Sequence, residues 1–144
     1  METILIVVTG EKPNKKLLAD AKRYATGIES QVVLCDIREE GFHQNSIQRH
    51  SKVGREAEEI DQYAAETAAA EIAEDAFGDE IPYEVVGVPT ESASTVLEIA
   101  EEYGCDRVFI DARKRTAVGK AIFGDLAQTI ILQFDGPVTV TTES

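Results

Sequence analysis

The sequence predicts a single α/β domain, a three-layer sandwich in which a five-stranded parallel sheet carries four helices on its two faces. Three observations predict it. Short, β-branched apolar runs alternate with segments of helical period along the whole chain. The runs at 3–9 (TILIVVT), 31–37 (QVVLCDI) and 107–110 are apolar almost throughout, as strands buried on both faces are. At 144 residues the chain is one domain, residues 1–144, long enough to bury a real core.

The elements follow in order. Residues 3–9 form the first strand, and Gly10 and Pro13 punctuate the loop after it. Leu17, Leu18, Ala21, Ala25 and Ile28 then recur at helical spacing, with Gly27 placed to close that helix. Residues 31–37 are the second strand, and 38–51 have no period and read as a loop. A long helix starts at about Lys52, with Val53, Ala57, Ile60, Ala64, Ala68, Ile72 and Ala76 as its apolar stripe. Eight acids and two bases occupy the rest of 52–77, and a stripe made mostly of alanine packs close while burying little per residue.

Residues 81–88 (IPYEVVGV) read as the third strand, and Pro82 demotes its start to an edge position. Thr90 precedes a helix with Ala93, Val96, Leu97 and Ala100 inward, closed by Gly104. Residues 107–110 are the fourth strand, 125–134 the last helix and 137–142 (PVTVTT) the fifth strand, alternating and therefore an edge. Strands alternating with helices imply a parallel sheet, with right-handed crossovers assumed, and periodicity makes strands 1, 2 and 4 the most central without fixing the order. With strand order 3-2-1-4-5, the first and fourth strands are central neighbours, and ligands bind beyond the carboxyl ends of strands at such a switch point. Thr9-Gly10 and residues 111–115 then form the two lips of one crevice.

Composition narrows the function. Twenty-seven acids face fourteen bases, a net charge of −13, which argues against nonspecific binding to nucleic acid or an anionic membrane. No run of about 18 apolar residues suggests a membrane span. The start METILIVV enters a strand without a basic leader, so the expected location is the cytoplasm. The dense acidic surface also fits a salt-rich cytoplasm, because at ~1 M salt the Debye length is about 3 Å and self-repulsion is screened. Cys35 and Cys105 read as free thiols in or beside strands, and two Cys and two His at unrelated spacings make no zinc site. His43 and His50 read as exposed loop residues, and 92–95 as helix-start hydroxyls rather than a nucleophile.

The most informative stretch is 108–130, VFIDARKRTAVGKAIFGDLAQTI. A strand runs into a basic, glycine-bearing loop that meets a helix at Gly124-Asp125, a place where loop amides and a helix N-terminus can cradle a phosphate. Residues 107–120 hold five bases and one acid within a strongly acidic chain. Yet Asp111 ends the strand and Asp125 starts the helix. As an N-cap, aspartate equals serine, each stabilising by ~1 kcal/mol over alanine, but it fills the anion position itself. Two unit charges 4 Å apart repel by about 4 kcal/mol at an effective dielectric of 20, half of the ~8 kcal/mol of a micromolar affinity.

These residues resemble the universal stress protein family over the whole chain. The likeness rests on the opening ILIVVTG, on the long acidic helix after the second strand and, above all, on 108–140 with Gly124 and Pro137-Val138. The resemblance implies the 3-2-1-4-5 sheet and a homodimer joined through the last strand, here at Val138 and Val140. Family members that bind ATP carry Gly, two residues, Gly, nine residues, Gly, then Ser or Thr. In this sequence those positions are Asp111, Lys114, Gly124 and Asp125, and the acid such members hold after the first strand is Thr9. By family position the nucleotide contacts would be Val7, Thr9, Ile37, Asp111, Arg113, Lys114, Gly124, Asp125 and Leu126. With one of four motif positions kept, the chain reads as a non-catalytic, homodimeric stress-response protein with no cofactor, acting on protein partners that the sequence does not name. The alternative is a sensor that holds ATP or AMP, with magnesium, on the basic loop. An adenylating enzyme is disfavoured, because residues 9–13 read TGEKP where a glycine- and serine-rich loop is needed.

Overall fold

The computed structural model describes residues 2–9, 13–37, 55–88, 92–113, 115–117, 120–122 and 125–143. In chain order they form β1 (Thr3–Thr9), α1 (Lys15–Ile28), β2 (Gln31–Ile37), α2 (Arg55–Phe77), β3 (Tyr83–Val88) and α3 (Ala93–Glu102). Then follow β4 (Arg107–Arg113), β5 (Arg115–Ala117), β6 (Lys120–Ile122), α4 (Asp125–Gln133) and β7 (Val138–Glu143). The main sheet has the order β3-β2-β1-β4-β7, and every pair in it is parallel. That is the expected 3-2-1-4-5 topology, with β7 as the fifth core strand.

Alternation along the strands divides the core in two. Leu5, Val7, Val33, Cys35, Ile37, Val108 and Ile110 point to the face covered by α3 and α4, where they meet Val96, Ile99, Ala100, Leu126, Ala127 and Ile130. Ile4, Ile6, Val8, Val32, Leu34 and Phe109 point to the other face and meet Leu17, Leu18, Ala21 and Ala25 of α1 with Ala73 and Phe77 of α2. Period-two strands buried on both sides need this double cover, which explains their continuous apolar runs.

At the amino ends of the strands a polar clasp ties three elements together. Glu2 Oε1 accepts from the Tyr24 hydroxyl at 2.9 Å and from Arg107 Nε at 3.3 Å. Arg107 Nε also donates to the Tyr24 hydroxyl at 2.9 Å, and its guanidinium carbon lies 4.7 Å from the Tyr24 ring centre. The Tyr24 ring in turn stands 5.4 Å from that of Phe109.

Several boundaries differ from expectation. Gly27 does not close α1: the helix runs on to Ile28, and the left-handed residue is Glu29, at φ 53° and ψ 44°, whose N–H donates to the Ala25 carbonyl. Ile28, expected inward, is exposed, because the buried stripe of α1 ends at Ala25. The buried stripe of α2 is Ala65, Ala69, Ala73 and Phe77, one residue on from the expected one, with 64, 68, 72 and 76 flanking it half-buried. Phe77 fits this rotation: the largest of the fully buried side chains takes the core position at the end of the helix. In α3 Ile99 is buried while Leu97 is only half-buried, and Gly104, at φ +65°, ends the turn as expected. Ser92 caps α3, its Oγ accepting from Thr95 N at 3.3 Å, as the helix-start reading of 92–95 expects, while Thr90 lies outside the described residues.

Replacing Glu29 by glycine should raise stability by roughly 0.5–1 kcal/mol. A residue with a β-carbon spends ~1–2 kcal/mol in the left-handed region, and glycine's wider unfolded freedom offsets part of that gain. Urea unfolding, read as a higher midpoint at constant slope, checks it.

Candidate functional site

The cleft arises from where two ladders stop. β1 pairs with β2 to its last residue, Thr9 with Ile37, but it pairs with β4 only as far as Val7 with Ile110. β4 continues instead with β7, through Asp111 with Thr141 to Arg113 with Glu143. The two central strands therefore part at their carboxyl ends. Helices run back against the parallel strands, so α1 and α4 both begin at this end, one on each face of the sheet.

The expected contacts fall into three groups. Val7, Ile37 and Leu126 are core residues on the α3/α4 face, 0%, 1% and 8% exposed, and form the floor beneath the cleft. Thr9, Asp111, Arg113 and Asp125 lie around its mouth. Lys114 and Gly124 lie outside the described residues, as do His43 and His50.

Two expectations need correction here. Asp111 does not end the fourth strand, which runs on through Ala112 to Arg113. Asp111 is half-buried, the first β4 residue beyond the β1 ladder. The basic stretch after it is not wholly loop either. β5 and β6 pair antiparallel, with Ala117 opposite Lys120, and in the sequence Val118-Gly119 stands between them. A residue–glycine pair between short strands is a hairpin signal, which the basic charges overshadowed. Asp125 is the first residue of α4 rather than the cap before it.

Two polar residues at this end escaped sequence reasoning. Asp36 sits on β2 between Val8 and Gly87 and is 0% exposed, the one buried carboxylate among the described residues. Its signal was an acid inside the apolar run QVVLCDI. Asn14 caps α1: its Oδ1 accepts from Lys16 N at 2.9 Å and from Leu17 N at 3.2 Å. Its signal was an asparagine just before the helical period begins.

Neither cysteine is a nucleophile at neutral pH. Burial, and then the neighbouring Asp36 charge, push the Cys35 thiol up to about 12. Burial and Asp106 raise Cys105 to about 11. The thiolate is the reactive form, so both stay inert. Both are free, Cys35 buried and Cys105 half-buried. Among the described residues no group of three His, Cys, Asp or Glu could hold a metal ion, and no helix is long and apolar enough to cross a membrane.

A parallel sheet whose central strands part at their carboxyl ends, with a helix starting on each side, defines the α/β class that takes ligands at a switch point. The chain belongs to the universal stress protein family, whose sequence model matches residues 1–142. Solved structures agree on the fold. A universal stress protein from Archaeoglobus fulgidus is similar at a TM-score of 0.61 and 22% identity, over 97% of this chain and 98% of that one. The Archaeoglobus fulgidus universal stress protein in complex with dAMP gives 0.56 and 16%, over 97% of each chain. A universal stress protein in complex with cAMP gives 0.53 and 14%, over 100% of each. No curated protein matches the sequence significantly.

Proposed function

We propose that this chain is a non-catalytic, homodimeric stress-response protein whose cleft does not take ATP in the family's usual pose. The observation that carries the reading is the pair of acids at the cleft mouth: Asp111, where β4 leaves β1, and Asp125, the first residue of α4. An acid at a helix's first turn complements the positive end of the helix dipole, the feature that otherwise attracts phosphate. Calorimetry with magnesium ATP should find the wild type silent in the micromolar range. Asp125→Ser should gain affinity by up to ~4 kcal/mol, the scale of the removed repulsion. Micromolar binding by the wild type overturns the reading.

A second reading keeps a nucleotide. Relatives of the same fold are solved with dAMP and with cAMP, each bearing a single phosphate. A monophosphate brings less negative charge to the two acids than ATP does. The same calorimetry with AMP tests this.

The dimer is proposed through β7. The two edges of the sheet differ in character. Beside β3 stand Pro82 and the exposed Glu84, and partial burial with the charges of Glu84, Glu102 and Glu66 raises the Tyr103 hydroxyl above its ordinary range. Such charge and proline blunt an edge against pairing. Residues 138–142 of β7 carry no charge, and Val138 and Val140 are half-buried against the α3/α4 core. Leu132, 74% exposed, adds apolar surface on neighbouring α4. Lysines at both Val138 and Val140 should give a folded monomer by sedimentation velocity. A dimer that persists in the folded double variant overturns this interface.

A further inference from the structure

We propose that the amino end of α1 is an anion site, built to hold a phosphoryl group on the side of the cleft away from Asp125. Three features of α1 meet there. Asn14 is 7% exposed, and its Oδ1 is spent on the N–H groups of Lys16 and Leu17, while among the described residues its Nδ2 has no partner. Because the side chain folds over the first turn to cap it, that unused donor lies at the helix mouth. A buried donor without an acceptor is costly, and native proteins rarely leave one so.

The second feature is charge. Lys15 and Lys16 open the helix, both exposed, and the first turn has no acid. Cations there oppose the helix dipole, which favours negative charge at this end. Among the described residues neither lysine has a salt bridge: Asp20, the first acid of α1, is taken by Arg23 at 2.6 Å, and Lys22 goes to Glu80. The third feature is position. α1 follows β1 directly, so this end stands at the parting of β1 and β4.

An anion answers all three at once. It accepts from Asn14 Nδ2, neutralises the two lysines and sits at the positive end of the dipole. A helix of 14 residues supplies that dipole in full. The two helix ends at the cleft thus carry opposite character, lysines at α1 and an aspartate at α4. The proposal does not depend on whether ATP binds.

The test is amide chemical-shift mapping of the full chain, titrated with inorganic phosphate, AMP and adenosine at the lowest salt that keeps it folded. The expected result is saturable shifts at the amides of 15–18 with phosphate and AMP but not adenosine. Lys15→Gln with Lys16→Gln should weaken phosphate at least about tenfold, the scale of one lost charge-assisted contact. Asn14→Ser keeps a capping oxygen and removes the orphan donor. It should weaken phosphate severalfold while leaving the ligand-free melting temperature unchanged or raised. Absence of shifts, shifts confined to 125–127, shifts that survive the lysine changes, or equal shifts with adenosine each overturn the site. Shifts at 15–18 beside silent ATP calorimetry leave both proposals standing. Shifts at 125–127 with micromolar ATP overturn both.

Discussion

Replacing Gly87 with alanine should destabilise the domain by about 3 kcal/mol or more, a large share of the ~5–15 kcal/mol that holds such a fold. The reason is contact, not conformation. A β-carbon at Gly87 would overlap the backbone carbonyl carbon of Ala65 and the amide nitrogen of Glu66, and would stand 2.7 Å from the Ala65 β-carbon. Two of these are main-chain atoms in the middle of α2, so no rotamer change relieves the clash. The helix must lift from β3, and Ala69, Ala73 and Phe77 lift with it. Urea unfolding should show a lower midpoint at constant slope. A loss under about 1 kcal/mol would mean that α2 shifts freely over the sheet.

Phe77→Ala should cost a similar amount, about 3–5 kcal/mol, the range for emptying a phenylalanine site in a packed core. Phe77 is 1% exposed and the largest of the fully buried side chains. Its ring lies 6.0 Å from that of Tyr83, at an interplanar angle of 46°. The other buried residues of α2's described face are alanines, each presenting a single methyl. One ring therefore supplies much of the apolar area that fixes a 23-residue helix to the sheet. Phe77→Leu should lose less, since leucine fills part of the volume. Equal losses for the two variants would point to the aromatic pair with Tyr83 rather than to volume.

The strands and helices were legible because each carries its own period. Residues 3–9 and 31–37 are apolar on both parities, and the paired cover of α1/α2 and α3/α4 is the physical requirement that such runs express. Gly104 was legible because its left-handed turn follows a finished helical stripe. Glu29 was not, since a left-handed glutamate is held by the chain's return to β2 and has no local signature. The rotation of α2 was hidden for a related reason. A helix with alanines on adjacent stripes offers several near-equal faces, and only the phenylalanine at its end and the missing side chain at Gly87 decide among them.

The crevice expected between the first and fourth strands falls where the β1–β4 ladder stops, with Asp111 on the strand beyond it and Asp125 at the start of α4. Sequence reasoning read 111–124 as loop because four bases there suggested a phosphate cradle, whereas the backbone carries Asp111 into β4 and pairs 115–117 with 120–122. Asp36 and Asn14 were missed because their significance is burial. A lone polar residue beside a strand or a helix has no spacing to read, and only the packed structure reveals that water is excluded from it.

The Glu2–Tyr24–Arg107 clasp joins the entry to β1, the later turns of α1 and the entry to β4 at the end of the sheet opposite the cleft. The contacts that hold these three segments together thus lie at the pole away from Asp111 and Asp125. Substitutions at those two acids leave every member of the clasp in place, so the fold and the proposed site can be altered independently of one another.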